Sequence, residues 1–155
     1  MSERADNPGV RVPPPLFFAL AVVVGWLLNR QWPLPVGGDG ARVVIAWLLV
    51  AAWVWLMGSS IRSFWQRHTS MLPFRPATTM VIEGPYRFTR NPMYVGLALL
   101  TVALGLLLNT WGPMVLLVPA MLAVQRLVIA REERYLRRRF GAEYDAYTRR
   151  VRRWI

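Results

Sequence analysis

The 155-residue sequence has no cysteine, no lysine and a single histidine, His68. Without thiols it can form no disulfide, no thiolate metal site and no cysteine nucleophile. One histidine without cysteine also falls short of the ligand sets that hold zinc, so no metal is expected. Acidic side chains are scarce: eight against nineteen basic ones, all arginine, for a formal net charge of +11. None of the eleven glycines belongs to a G-x-G-x-x-G array and there is no P-loop, which argues against a soluble dinucleotide-type fold.

What is abundant is apolar. Hydrophobic residues make up 55% of the chain, gathered in runs at roughly 14–28, 42–60, 93–108 and 113–130, as membrane spans require. Arg4 and Arg11 precede the first run, five arginines lie between the second and third, and ten run from Arg126 to the end. Only Arg30 and Arg42 fall in the other two connections. The positive-inside rule therefore places both termini in the cytoplasm. That placement, rather than nucleic-acid binding, accounts for the basic charge. Asn29-Arg30-Gln31-Trp32-Pro33 follows the first run in place of a small-residue cleavage site, so the run reads as a retained span.

These features predict one all-α, polytopic membrane domain with four transmembrane helices. Its parts are a cytoplasmic leader (1–13), two spans (14–60), a cytoplasmic connector (61–92), a helical hairpin (93–130) and a cytoplasmic amphipathic tail (131–155). In the connector, Pro73, Pro76 and Pro85 forbid a long helix. Phe64, Trp65, Met71, Leu72 and Phe74 make it apolar enough to lie on the membrane surface. Trp47, Trp53 and Trp55 read as anchors or packing residues, and His68 as a solvent-facing or packing residue. The third run, sixteen residues, spans about 24 Å as a helix, short for a hydrocarbon core of about 30 Å. A tight loop at 109–113 makes it antiparallel to the fourth, which Pro119 should kink, leaving a cavity at the cytoplasmic mouth. Leu136, Phe140, Tyr144, Tyr147 and Val151 form an amphipathic stripe suited to anionic lipid, broken at Gly141.

Chemistry is expected where polar residues meet this apolar frame. Pro92 suits the first position of the third helix and Asn91 its N-cap. The free N–H groups there, with Arg87 and Arg90 beside them, form an anion-binding corner. Glu132 and Glu133 lie where the fourth helix leaves the membrane, about 100° apart. One can face inward to accept from hydroxyls or an ammonium while the other pairs with Arg137. Gln125 and Glu132, like Arg126 and Glu133, are seven apart and fall on common helical stripes. Anion corner and carboxylate pair together suit a zwitterion with an amino acid end. Taken singly, the arginines also read as lipid anchors and the glutamates as surface ion pairs.

The stretches Gly84-Pro85-Tyr86-Arg87, Arg90-Asn91-Pro92-Met93-Tyr94-Val95-Gly96 and Glu132-Glu133 carry a resemblance. It continues through Leu136, Phe140-Gly141, Tyr144, Tyr147, Val151 and Arg153-Trp154. Over roughly residues 69–155 the chain resembles the isoprenylcysteine carboxyl methyltransferase family of integral membrane proteins and, more distantly, phospholipid N-methyltransferases. The resemblance implies S-adenosylmethionine (S-adenosyl-L-methionine) as methyl donor, with Tyr86, Arg90, Asn91, Tyr94, Gly96, Glu132, Glu133 and Tyr147 at its site. It makes Arg87 and Arg153 the candidates for orienting the acceptor, a lipophilic small molecule or lipid carrying a carboxylate, thiol or head group. The membrane would be the bacterial inner one. Asn91 departs from the pattern, standing where the eukaryotic carboxyl methyltransferases have histidine; asparagine exchanges hydrogen bonds but cannot titrate near neutrality. Two other classes stay open: an NADPH-dependent membrane reductase of the sterol-reductase type, and a non-enzymatic membrane assembly or accessory protein.

Overall fold

The computed structural model describes residues 9, 10, 12–69 and 78–155. The leader residues 1–8 and Arg11, and connector residues 70–77 with Met71, Leu72, Pro73, Phe74 and Pro76, lie outside the described residues. Among the described residues there are six α-helices and no strand: α1 (Pro15–Gln31), α2 (Asp39–Gln66), α3 (Pro92–Leu107), α4 (Gly112–Val124), α5 (Ala130–Phe140) and α6 (Ala142–Arg150). A 3-10 turn, Gly84–Arg87, precedes α3, and a π turn, Gln125–Ile129, joins α4 to α5.

Nothing between Arg42 and Gln66 breaks a helix, so α2 runs for 28 residues and takes in Phe64 and Trp65, which the sequence assigns to the connector. By length and composition, α2 and the continuous run Gly112–Phe140 are able to cross a membrane. Helices α1 and α3, of 17 and 16 residues, are apolar but shorter. Leu16, Leu20, Val23 and Leu27 face outward from α1, as do Val44, Trp47, Leu48 and Trp55 from α2, and Val115, Val118 and Leu122 from α4. Such continuous apolar outer faces belong against lipid, where helices satisfy their own backbone.

Helix α3 packs chiefly on α2, and α4 on α1; the antiparallel α3–α4 contact is smaller. The α1–α4 contact depends on two glycines. A Cβ at Gly25 would lie 2.4 Å from the carbonyl carbon of Gly112 and the nitrogen of Pro113. The α3–α4 loop is tied down by Asn109, whose Oδ1 accepts from the Val36 and Gly37 N–H groups at 3.1 Å each. Arg42 donates to the carbonyls of Leu106 and Leu107, satisfying the last turn of α3. At the opposite end, Val10, Phe18, Val124, Val128 and Ile129 form a core against which Tyr94 and Trp154 pack. Gly141, at φ 51° and ψ −122°, divides the tail into α5 and α6 at the expected position.

Candidate functional site

Trp53, Leu56, Ser60 and Ser63, spaced three, four and three, share one face of α2 directed at α3 and the 3-10 turn. A Cβ at Gly96 would meet Trp53 Cδ1 at 3.3 Å, and one at Gly84 would meet Ser63 Oγ at 2.7 Å. Gly84 also holds φ +58°, so this turn suits glycine twice over. The Trp53 indole N–H is buried without a partner among the described residues. Sequence reasoning gave this face no role; its helical spacing was the available signal.

Within the turn Tyr86 is buried, its ring edge-on to Phe64 at 5.7 Å. Its carbonyl accepts from the Tyr147 hydroxyl at 2.7 Å. Burial pushes both phenols above their ordinary range, so both hydroxyls stay protonated at neutral pH.

Pro92 opens α3, as its missing N–H favours. Asn91 holds the N-cap position, but its side chain makes no cap bond. Its Nδ2 instead donates to the Arg153 carbonyl at 2.8 Å. Thr89 Oγ1 donates to the same carbonyl at 3.2 Å and accepts from the Asn91 N–H at 3.2 Å. The Arg90 N–H donates to the Arg152 carbonyl at 3.0 Å. The chain end thus runs as a strap along the approach to α3, finished by Trp154, whose Nε1 donates to Gln125 Oε1 at 3.1 Å.

The two glutamates part company. Glu132 Oε1 accepts from the Tyr94 hydroxyl at 2.9 Å. Glu133 is gripped by Arg153, from Nε to Oε1 at 2.9 Å and from Nη2 to Oε2 at 2.6 Å, and Arg90 Nη1 stands 3.2 Å from its Oε1. The expected pairing of one of the two glutamates with Arg137 does not form. Glu133 is turned inward, 17% exposed, while Arg137 faces out at 59% and pairs with Asp145 at 2.8 Å. The hydrogen bonds from Arg153 to Glu133 also raise the Arg153 guanidinium further above its ordinary value.

The anion corner expected from Arg87 and Arg90 is divided. The Arg90 guanidinium is occupied by Glu133, while its Nε is buried without a partner among the described residues. Arg87 is exposed and lines a separate open groove of about 360 Å³ with Met80, Ile82, Glu143, Tyr147 and Arg150. At the mouth between α3 and α4, Tyr94 and Trp154 pack against the core of Val10, Phe18, Val124, Val128 and Ile129. The seven-residue stripes are broken as well: the π turn adds a residue, so Gln125 engages Trp154 while Glu132 engages Tyr94.

Of the residues singled out in the sequence, the structure gathers Arg90, Asn91, Tyr94, Glu132, Glu133 and Arg153 into one cluster. Tyr86 and Tyr147 form a neighbouring pair, Gly96 lies on the α2 side, and Arg87 lines the groove. Among the described residues, a carboxylate held by a neutral tyrosine hydroxyl beside one neutralised by two guanidiniums leaves Glu132 as the group suited to a cation. Among the described residues no cluster of three or more His, Asp or Glu could hold a metal.

Residues 41–143, about two thirds of the chain, match the family model for phospholipid methyltransferase. The match takes in α2, which the motif resemblance did not reach, and ends at the start of α6. A protein of Haemophilus influenzae described as uncharacterized is 38% identical over 63 residues, covering 41% of this chain and all of that protein. No solved structure matches.

Proposed function

Because the chain belongs to the phospholipid methyltransferase family of membrane methyltransferases, we propose that it transfers a methyl group from S-adenosylmethionine to a lipophilic acceptor at the cytoplasmic face of the membrane. In this reading α1, α2, α3 and the Gly112–Phe140 run are four spans of a bacterial inner-membrane protein with both termini in the cytoplasm. The observation that carries it is the division of labour between Glu132 and Glu133 beside the start of α3.

The residues present fit the donor. S-adenosylmethionine bears an ammonium, a carboxylate and a sulfonium. Glu132, steadied by Tyr94, offers the ammonium a counter-charge, and Arg90 Nε, without a partner among the described residues, is a donor for the carboxylate. When bound, the cofactor supplies an electrophilic methyl group on sulfur. The chain's own task is to align the acceptor and exclude water, a contribution of about 7–11 kcal/mol for well-oriented reactants. Asn91 cannot act as a base, and an acceptor that arrives as a carboxylate or thiolate needs none. Arg87, exposed in its groove beside Arg150, is a cation available to an anionic part of the acceptor. The family match favours methyl transfer over the reductase and accessory readings.

Calorimetric titration of the detergent-solubilised protein with S-adenosylhomocysteine and with NADPH tests the proposal. Micromolar S-adenosylhomocysteine binding that is lost in Tyr94→Ala supports it. Tight NADPH binding alone, or binding of neither, would sink it.

A further inference from the structure

The geometry points to Asn91 as a positioning residue that acts through the chain end on the glutamate pair, and not as a group that meets cofactor or acceptor. The inference rests on the methyltransferase reading and assigns the roles within that site. Asn91 is buried, and one N–H of its amide is committed to the Arg153 carbonyl at 2.8 Å. The same carbonyl takes the Thr89 hydroxyl at 3.2 Å, and the Arg152 carbonyl takes the Arg90 N–H at 3.0 Å. Three donors from consecutive residues 89–91 therefore fix two consecutive carbonyls of the strap.

What the strap carries is the Arg153 guanidinium. Docked this way, it meets Glu133 through two bonds at 2.9 and 2.6 Å, and Arg90 completes the clamp from the other side. Glu133 and Glu132 are adjacent on α5, so holding one sets the rotation of the helix and with it the direction of the other. Tyr94, two residues into α3, meets Glu132 from the same helix start that Asn91 anchors. The strap thus joins the start of α3 to the start of α5 at the level of Glu132. Its hold depends on an amide N–H at position 91. A carboxylate there would face a carbonyl with no proton to give, and would compete with Glu133 for Arg153.

Asn91→Asp, which keeps the shape and loses the donor, tests this. The full-length protein in detergent is followed in two ways: limited trypsin digestion with intact-mass detection of cleavage after Arg152 and Arg153, and S-adenosylhomocysteine titration. Near neutrality N91D is expected to lose its last residues at least about tenfold faster than wild type and to bind about tenfold more weakly. At about pH 4, where an ordinary aspartate carboxyl is about half protonated and can donate again, the affinity ratio to wild type at the same pH should move back toward one. Thr89→Val, which removes one of the two donors to the same carbonyl, should give a smaller change in the same direction. It also supplies the decision should N91D fail to fold. A strap as protected in both variants as in wild type overturns the inference. So does a released strap with unchanged affinity, or a loss in N91D that does not respond to pH. A wild type that binds no S-adenosylhomocysteine sinks the cofactor reading, and this inference with it. A wild type that binds while both variants bind equally well overturns the inference alone.

Discussion

Neutralising the two adjacent glutamates one at a time should give opposite signatures. Glu133 accepts two bonds from Arg153 and lies 3.2 Å from Arg90, whose side chain is only 15% exposed. Removing one partner of a buried pair costs about 3–5 kcal/mol, because it strands the other charge. Two features reduce that figure. The Arg153 side chain, 38% exposed, can rehydrate, and glutamine still offers one acceptor oxygen. A loss of about 2 kcal/mol remains for Glu133→Gln, equivalent to a fall in melting temperature of about 4–8 °C for a chain of this size. Glu132→Gln is different, since its amide oxygen can still accept from the Tyr94 hydroxyl, and the change in stability should stay below about 1 kcal/mol. Its loss appears in binding: removing a charge-assisted bond worth about 1.5–3 kcal/mol weakens S-adenosylhomocysteine about 10- to 150-fold. Thermal unfolding in detergent and calorimetric titration of both variants read the two axes. If Glu132→Gln lowers the melting temperature as much as Glu133→Gln, or if Glu133→Gln melts with wild type, the division of roles is wrong.

Gly25→Ala should destabilise the protein by about 1–3 kcal/mol, the usual range for overpacking, because its Cβ meets the Gly112–Pro113 backbone at 2.4 Å. A variant that melts with wild type would contradict that contact. Burial raises Tyr86 and Tyr147 above the ordinary phenol value near 10, so each folded phenol holds its proton after the unfolded one has lost it. Their stabilisation is therefore full below about pH 10 and falls as pH rises from there toward the folded values. The part of the phenolate absorbance that Tyr86→Phe and Tyr147→Phe remove should appear only as the bundle opens in an alkaline titration; its appearance near pH 10 in the folded protein would contradict this.

The helices were legible where the sequence carries strong local signals. Pro92 marks the start of α3, Gly141 divides the tail, and the apolar run 93–108 coincides with α3 to within a residue at each end. The helical face Trp53, Leu56, Ser60 and Ser63 was hidden because small and polar residues inside an apolar run alter its overall character little. The site residues were legible as a set but not in their partners. Charge and spacing nominated Arg137 for one of the two glutamates, since a pair one turn apart on the same helix is the local solution. The observed partners, Arg90 and Arg153, come from elsewhere in the chain, and only the folded bundle brings them to an inward-facing carboxylate. Asn91 illustrates the same limit: its residue type signals a helix cap, yet a carbonyl 62 positions along the chain takes the donor.

The π turn at Gln125–Ile129 explains why the spacing argument failed where it did. In an unbroken α-helix, residues seven apart return to within about 20° of each other, so Gln125 and Glu132 would share one face. One extra residue in a single turn rotates everything beyond it by roughly 100° relative to what precedes it. Before the turn, Val124 faces the core; within it, Val128 and Ile129 are buried beside the same core. After it, the helix presents Glu132 to Tyr94 and Glu133 to Arg90 and Arg153. The apolar run can therefore keep its packing against α1 while the glutamates are aimed independently at the start of α3. A regular helix would tie those two requirements together, and the sequence 125–133, read with a period of 3.6, contains no sign that they have been separated.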